Sequence, residues 1–233
     1  MDNAFSQFIA NAASIKESGR WTALNERITK MAANPGLGNE WYVQLFGQLC
    51  YQVLSEYSSL KRVYDEKQNR DASLLAWRSR NLLELSVWAT YFAKSMANAR
   101  RLYEDAGRDA HELIGVFEAW GQKSGQSPDW LNSLENGKIN IATHAANEGI
   151  TTLDDRYMSV DNAAADCGMA SHYKVFSKML SKFVHPTALQ ILGRIDDVKL
   201  SLQREVFFSL GCLFFTGAFT ALENLESTER NCS

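Results

Sequence analysis

The chain has 233 residues, 45% of them hydrophobic and 22% charged, with a net charge of −3 and only three prolines. That composition describes a soluble globular chain able to bury its own core, lacks the basic footprint of a dedicated nucleic-acid binder, and leaves long stretches free of helix breakers. The four cysteines, Cys50, Cys167, Cys212 and Cys232, are widely spaced with no C-x-x-C pair, which excludes a zinc cluster of the usual ligand spacing and fits reduced thiols in a cytoplasmic protein.

In chain order, residues 3–17 and 20–33 read as two short helices. The opening "MDNAFSQ" has no cationic n-region, so no signal peptide is expected. "NPGLGN", Asn34 to Asn39, is a break. Asn39 can cap a long helix to about Lys67, whose apolar stripe is Trp41, Leu45, Leu49, Val53, Tyr57 and Leu60. Asp71 or Ser73 caps the next helix, predicted from Leu74 to Asp105, interrupted at Gly107 and resumed to about Gly121. "GQKSGQSPDW" is a loop, with Pro128 suited to the first turn of a polar helix, Asp129 to Asn147, that has a candidate break at Asn136-Gly137. Residues 149–168 read as loop with a short helix, and Ser171 to Val184 as a strong helix.

The last helix spans about Ile195 to Glu226. Its stretch "VFFSLGCLFFTGAFTAL" has 17 uncharged residues, fewer than the roughly 20 a membrane span needs, and reads as a helix buried on all sides. The expected fold is all-α: one domain over residues 1–233, a bundle of about seven or eight helices with a buried apolar C-terminal helix, and residues 1–38 as a candidate N-terminal extension. No contact with a membrane is expected.

Two helices carry the candidate chemistry. In "YKVFSKMLSKFVHPT" the residues Val175, Phe176, Met179, Leu180 and Phe183 share an apolar arc, with His172 on it, and Lys174, Lys178, Ser181 and Lys182 lie opposite. His172 reads as a core histidine with a backbone partner. The lysines read as a solvated face or a phosphate holder. Proline pushes its predecessor out of the helical region, so the helix should end at Val184 and redirect His185. His185 then either closes the helix, its positive form facing the dipole, or belongs to a polar site.

In "AWRSRNLLELSVWATYF" the residues Leu74, Leu82, Leu85, Ala89, Phe92 and Met96 form one apolar face, with Arg78 in its middle. Arg80, Glu84 and Tyr91 lie on the other side, flanked by Trp77 and Trp88, with Asn81 at the border. A helix covered on both sides holds Arg80 and Glu84 partly buried, where they need partners. They can pair with each other at i, i+4. The sharper expectation is that Glu84, Arg80 or Arg78, Asn81 and His185 meet in one pocket. No Glu-x-x-His pair, H-E-x-x-H, phosphate loop, G-x-G-x-x-G or G-x-S-x-G occurs, so neither metal nor cofactor is expected.

The same two helices resemble the signature helices of an uncharacterised bacterial all-helical family, in which an early helix bears Arg and Glu and a late one ends in Ser-x-x-x-His. The motif maps onto Arg80, Glu84, Ser181 and His185, over residues 40–225. The resemblance implies the fold and assigns no activity. The chain is also similar, more loosely, to HEPN-type helical domains of toxin and defence ribonucleases. Those carry Arg-x4–6-His on one helix. Here Leu85 stands five residues after Arg80, so a ribonuclease would need Arg80 and His185 to meet from separate helices.

Three functions follow. The favoured one is a non-enzymatic helical binding or regulatory protein, in bacterial defence or stress, that self-associates as a dimer through a helix interface and takes a protein, small-molecule or RNA partner. The alternative is a metal-independent ribonuclease with His185 as general acid/base, Arg80 stabilising charge, and Glu84 or Asn81 orienting them. The third is a small-molecule pocket lined by Trp77, Trp88 and Tyr91, with Arg78, Ser181 and Lys182 as further candidate contacts.

Overall fold

Every regular element among the described residues, which are 4–34, 39–66, 71–185 and 197–225 of a computed structural model, is an α-helix. Nine are present: α1 Ala4–Glu17, α2 Arg20–Ala33, α3 Glu40–Asp65, α4 Ala72–Lys94, α5 Met96–Ser124, α6 Pro128–Asn147, α7 Val160–Asp166, α8 Ala170–Val184 and α9 Asp197–Glu223. The described residues up to Ser95 and from Val160 onward form one compact unit, and Met96–Ser159 form a second.

Local signals set several of the ends. The Asp71 side chain accepts a hydrogen bond from the Ser73 N–H at 2.8 Å and starts α4. Ser127 Oγ accepts from the Trp130 N–H at 3.3 Å, with Pro128 at the first helical position of α6; such caps satisfy donors that a helix start leaves orphaned. At the end of α8, His185 is extended, φ −99° and ψ 147°, as the following proline requires.

Two expected breaks move. The chain leaves the helical path at Ser95, φ −164° and ψ 158°, and α5 then runs unbroken through Gly107. α6 is likewise continuous through Asn136-Gly137. There a side chain on Gly137 would crowd Ile114 at 3.2 Å, so that glycine permits close packing of α6 on α5 and ends nothing.

In the first unit α9 is the centre, packed against α4, α1 and α3. Its rings reach outward. Phe215 stacks on Tyr57 with centroids 3.9 Å apart, Phe208 on Tyr64 at 3.8 Å, and Phe207 and Phe214 meet Phe183 and Phe176 of α8. Each fully buried ring contributes roughly 1.5–3 kcal/mol. The α9–α4 contact is closer. Gly211 faces α3 and α4, where an added methyl would overlap the Leu60 side chain and lie 2.8 Å from Ser79 Oγ. Ser79 donates to the Phe207 carbonyl at 2.6 Å. α9 has the length and composition of a membrane span, yet 61% of its apolar window is buried inside the protein.

The buried side of α4 runs through Leu75, Ala76, Ser79, Leu82, Leu83, Ser86 and Val87. Of the expected face, Leu82, Ala89 and Phe92 are buried, Leu74 and Leu85 are half-buried, and Met96 is exposed and begins α5. Small side chains at Ala76, Ser79 and Ser86 bring α9 onto this side, and that packing outweighs the leucine count. On α8, His172 and Val175 are both exposed, so His172 is no core histidine. Leu180, Phe176 and Phe183 of the expected arc turn inward, and Tyr173 joins Leu180 on the buried side.

The second unit has little core of its own. α5 packs on α6, and Gly121 of α5 sits where a methyl would overlap the Trp130 ring. Its buried interior is largely ionic. Arg108 donates to Asp105 Oδ1 (2.7 Å), Glu104 Oε2 (3.0 Å), Thr152 Oγ1 (2.7 Å) and the Thr152 carbonyl (2.9 Å). Asp105 Oδ2 accepts the Met158 N–H at 2.9 Å. Thus the Glu104–Arg108 turn of α5 ties down the segment after α6.

Candidate functional site

Arg80 and His185, 105 residues apart, meet where α4 runs beside the end of α8: Nη1 of Arg80 lies 3.4 Å from Nε2 of His185. The contact follows from two local rules. The α4–α9 packing turns Arg80 and Glu84 toward the flank of α4, and the extended backbone at His185 takes the imidazole off the helix axis. The His185 N–H still donates to the Ser181 carbonyl at 3.2 Å, which holds the turn.

Glu84 anchors the guanidinium from the other edge. Its Oε1 lies 3.1 Å from Arg80 Nε, both side chains being about 30% exposed. That nitrogen is buried without a hydrogen bond of good direction, so the contact is an ion pair by distance and leaves part of its bonding capacity unused. Tyr173, buried on α8, lies near enough to feel both Glu84 and Arg80. Burial pushes its phenol up, hydrogen bonding to Ser177 pulls it down, and Glu84 and Asp161 raise it again. Tyr173, Ser177, Ser181 and His185 recur at four-residue steps, and that stripe was a signal available in the sequence.

The other sequence candidates fall outside this contact. Arg78 turns to α3, where its Nη1 reaches Glu56 at 2.8 and 3.1 Å, and its guanidinium lies 4.5 Å from the centre of the Trp77 ring. Asn81 is half-buried, and among the described residues no hydrogen bond joins it to Arg80, Glu84 or His185. Ser181 spends its hydroxyl on the Ser177 carbonyl at 2.7 Å. Lys182 is exposed, as are Lys174 and Lys178.

Of the three aromatics, Trp77 is exposed, Trp88 meets Tyr91 edge-on at 6.2 Å, and Tyr91 is in the core. Clefts of about 510, 320 and 310 Å³ are lined by other residues. The largest of these three belongs to the second unit and is bordered by Arg108, His111, Glu112, Asp154 and Arg156. Among the described residues no group of three His, Cys, Asp or Glu side chains could hold a metal ion.

No family model, curated protein or solved structure matches the chain.

Proposed function

We propose that the chain is a non-enzymatic helical binding protein, and that the polar contact between α4 and the end of α8 takes a phosphate-bearing anion. The observation that carries this is the 3.4 Å approach of Arg80 to His185. A guanidinium and an imidazole meet there, His185 exposed to water and Arg80 half-buried beside it. An anion entering there is held by both, with charge-assisted bonds from the guanidinium. Lys178 and Lys182 precede His185 at helical steps and extend the same positive track. Three free thiols among the described residues, two of them buried, support a reducing compartment such as the cytoplasm.

Binding is better supported than catalysis. Metal-independent RNA cleavage needs one group to take the 2′-hydroxyl proton and another to protonate the leaving oxygen. Arg80 cannot exchange its proton near neutral pH, and Glu84 is held behind it. The ribonuclease reading keeps a place because the same contact sets an imidazole beside a charge stabiliser, from two separate helices, with His185 as acid/base and Arg80 on the developing charge.

A fluorescent single-stranded RNA oligonucleotide and inorganic phosphate are titrated into the full chain, and the RNA is recovered on a gel. Binding weakened in Arg80→Ala and His185→Ala, with RNA intact, is the expected result. Cleavage lost in His185→Ala but kept in His144→Ala would establish the enzyme instead. No binding of either probe rejects the site.

A further inference from the structure

Burial and charge in the second unit point to a surface that the α4–α8 reading does not use. Leu113, Val116, Phe117 and Trp120 of α5 are each 46–59% exposed. They lie at i, i+3, i+4 and i+7, so they form one apolar strip along a 29-residue helix. Meanwhile Ile150 is the one large aliphatic or aromatic side chain of residues 96–159 that is buried. A helix of this kind draws its stability from packing an amphipathic face, and beside the side that meets α6 this strip is exposed.

We infer that this strip is the two-fold interface of a homodimer, in which α5 of one copy lies antiparallel on α5 of another. The spacing continues beyond the apolar residues: Asp109, Leu113, Val116, Trp120 and Lys123 are separated by four, three, four and three residues, the step of a helix-pair seam. An antiparallel two-fold sets Asp109 opposite Lys123, Leu113 opposite Trp120, and Val116 near its own copy. A parallel pair would instead set Asp109 on Asp109 and Lys123 on Lys123, which disfavours it. Both charged residues are exposed.

The area suits a second copy. The four apolar side chains present on the order of 450 Å² per chain, already within the range where a patch on a monomer has a function. Two copies remove roughly twice that from water, and the rim at Asp109, Glu112 and Lys123 carries the total past the roughly 1,000 Å² that a specific interface needs. Trp120 is a ready anchor, since Trp130 of α6 holds its ring edge-on with centroids 5.8 Å apart. Two α5–α6 hairpins joined this way share the core that each lacks.

The full chain is measured by sedimentation equilibrium and light scattering across the micromolar range. The expected mass is twice 26.2 kDa. Val116→Lys brings two lysines together on the axis and weakens association at least about a hundredfold; circular dichroism shows that this exposed substitution leaves the fold intact. Asp109→Lys and Lys123→Asp each weaken the dimer, and the double exchange restores it. A single-chain mass at every concentration overturns the inference, whether the strip is idle or serves a different protein. A dimer indifferent to Val116→Lys overturns it too, and failure of the double exchange to restore association overturns the antiparallel register.

Discussion

Truncating Arg108 tests whether the second unit is held by its ionic interior. The side chain is 8% exposed and Asp105 7%, and their bond is 2.7 Å. Burial alone lowers the tendency of this guanidinium to stay charged, and the Asp105 and Glu104 carboxylates overcome it, leaving its pKa raised. Arg108→Ala removes four hydrogen bonds and strands a buried carboxylate, a loss that runs to about 3–5 kcal/mol. Two things soften it. Glu104 keeps Arg100 at 3.0 Å, and Arg101, half exposed, stands 4.0 Å from Asp105. The expected cost is therefore near the lower figure, about 3 kcal/mol. Because Arg108 and Asp105 hold Thr152 and Met158, the loss is local. Hydrogen exchange at the Met158 amide should quicken about a hundredfold, each tenfold standing for about 1.4 kcal/mol. Arg101→Ala is the control and should cost under about 1 kcal/mol. If Arg108→Ala costs no more than Arg101→Ala and leaves the Met158 amide protected, the network does not hold the segment.

Three other outcomes follow from the first unit. Gly211→Ala gains about 1 kcal/mol of helix propensity but forces a methyl against Leu60 and Ser79. Overpacking costs about 1–3 kcal/mol, so urea denaturation should show a net loss, and a gain in stability would refute the close approach of α9. Ser79→Ala leaves the Phe207 carbonyl without its added donor and should cost about 1 kcal/mol; an unchanged midpoint counts against that bond. Burial pushes the Cys50 and Cys212 thiols up to about 12, well above the ordinary value of about 8.5. The folded state thus favours the neutral thiols, a contribution fully present below the ordinary value and lost as pH climbs toward 12. Stability should fall above about pH 9, by up to roughly 1.4 kcal/mol per unit and thiol, and Cys50→Ala with Cys212→Ala should flatten the slope; an equal slope in the double variant refutes the assignment.

The helices were legible because breakers are few and their positions are informative. The proline after His185 foretold both the end of α8 and the imidazole's departure from the axis. The Arg80–Glu84 spacing foretold their pairing. Most of what escaped shares one cause: a residue's partner on another helix leaves no local trace. Arg78 looked like a charge lost in an apolar face, because Glu56 lies on α3. On α8 the apolar pattern located Phe176, Leu180 and Phe183, and missed Tyr173, whose place beside Arg80 and Glu84 depends on α4. The break at Ser95 was invisible because the apolar period resumes directly after it. Glu104, Asp105 and Arg108 read as an ordinary charged turn, since nothing within α5 shows that Thr152 and Met158 close over them.

The position of Arg80 is set from the far side of its helix. Ala76, Ser79 and Ser86 are small, and with Gly211 they let α4 and α9 approach closely. That approach fixes the rotation of α4 about its axis, and the rotation decides which residues reach α8. A turn of about 100°, one residue's worth, would exchange Arg80 for an uncharged neighbour, Ser79 or Asn81. The apolar contact therefore specifies the polar one. His185 is placed with less redundancy, by one carbonyl bond to Ser181 and by its extended backbone. The contact thus pairs a guanidinium mounted on a core helix with an imidazole standing on a helix end.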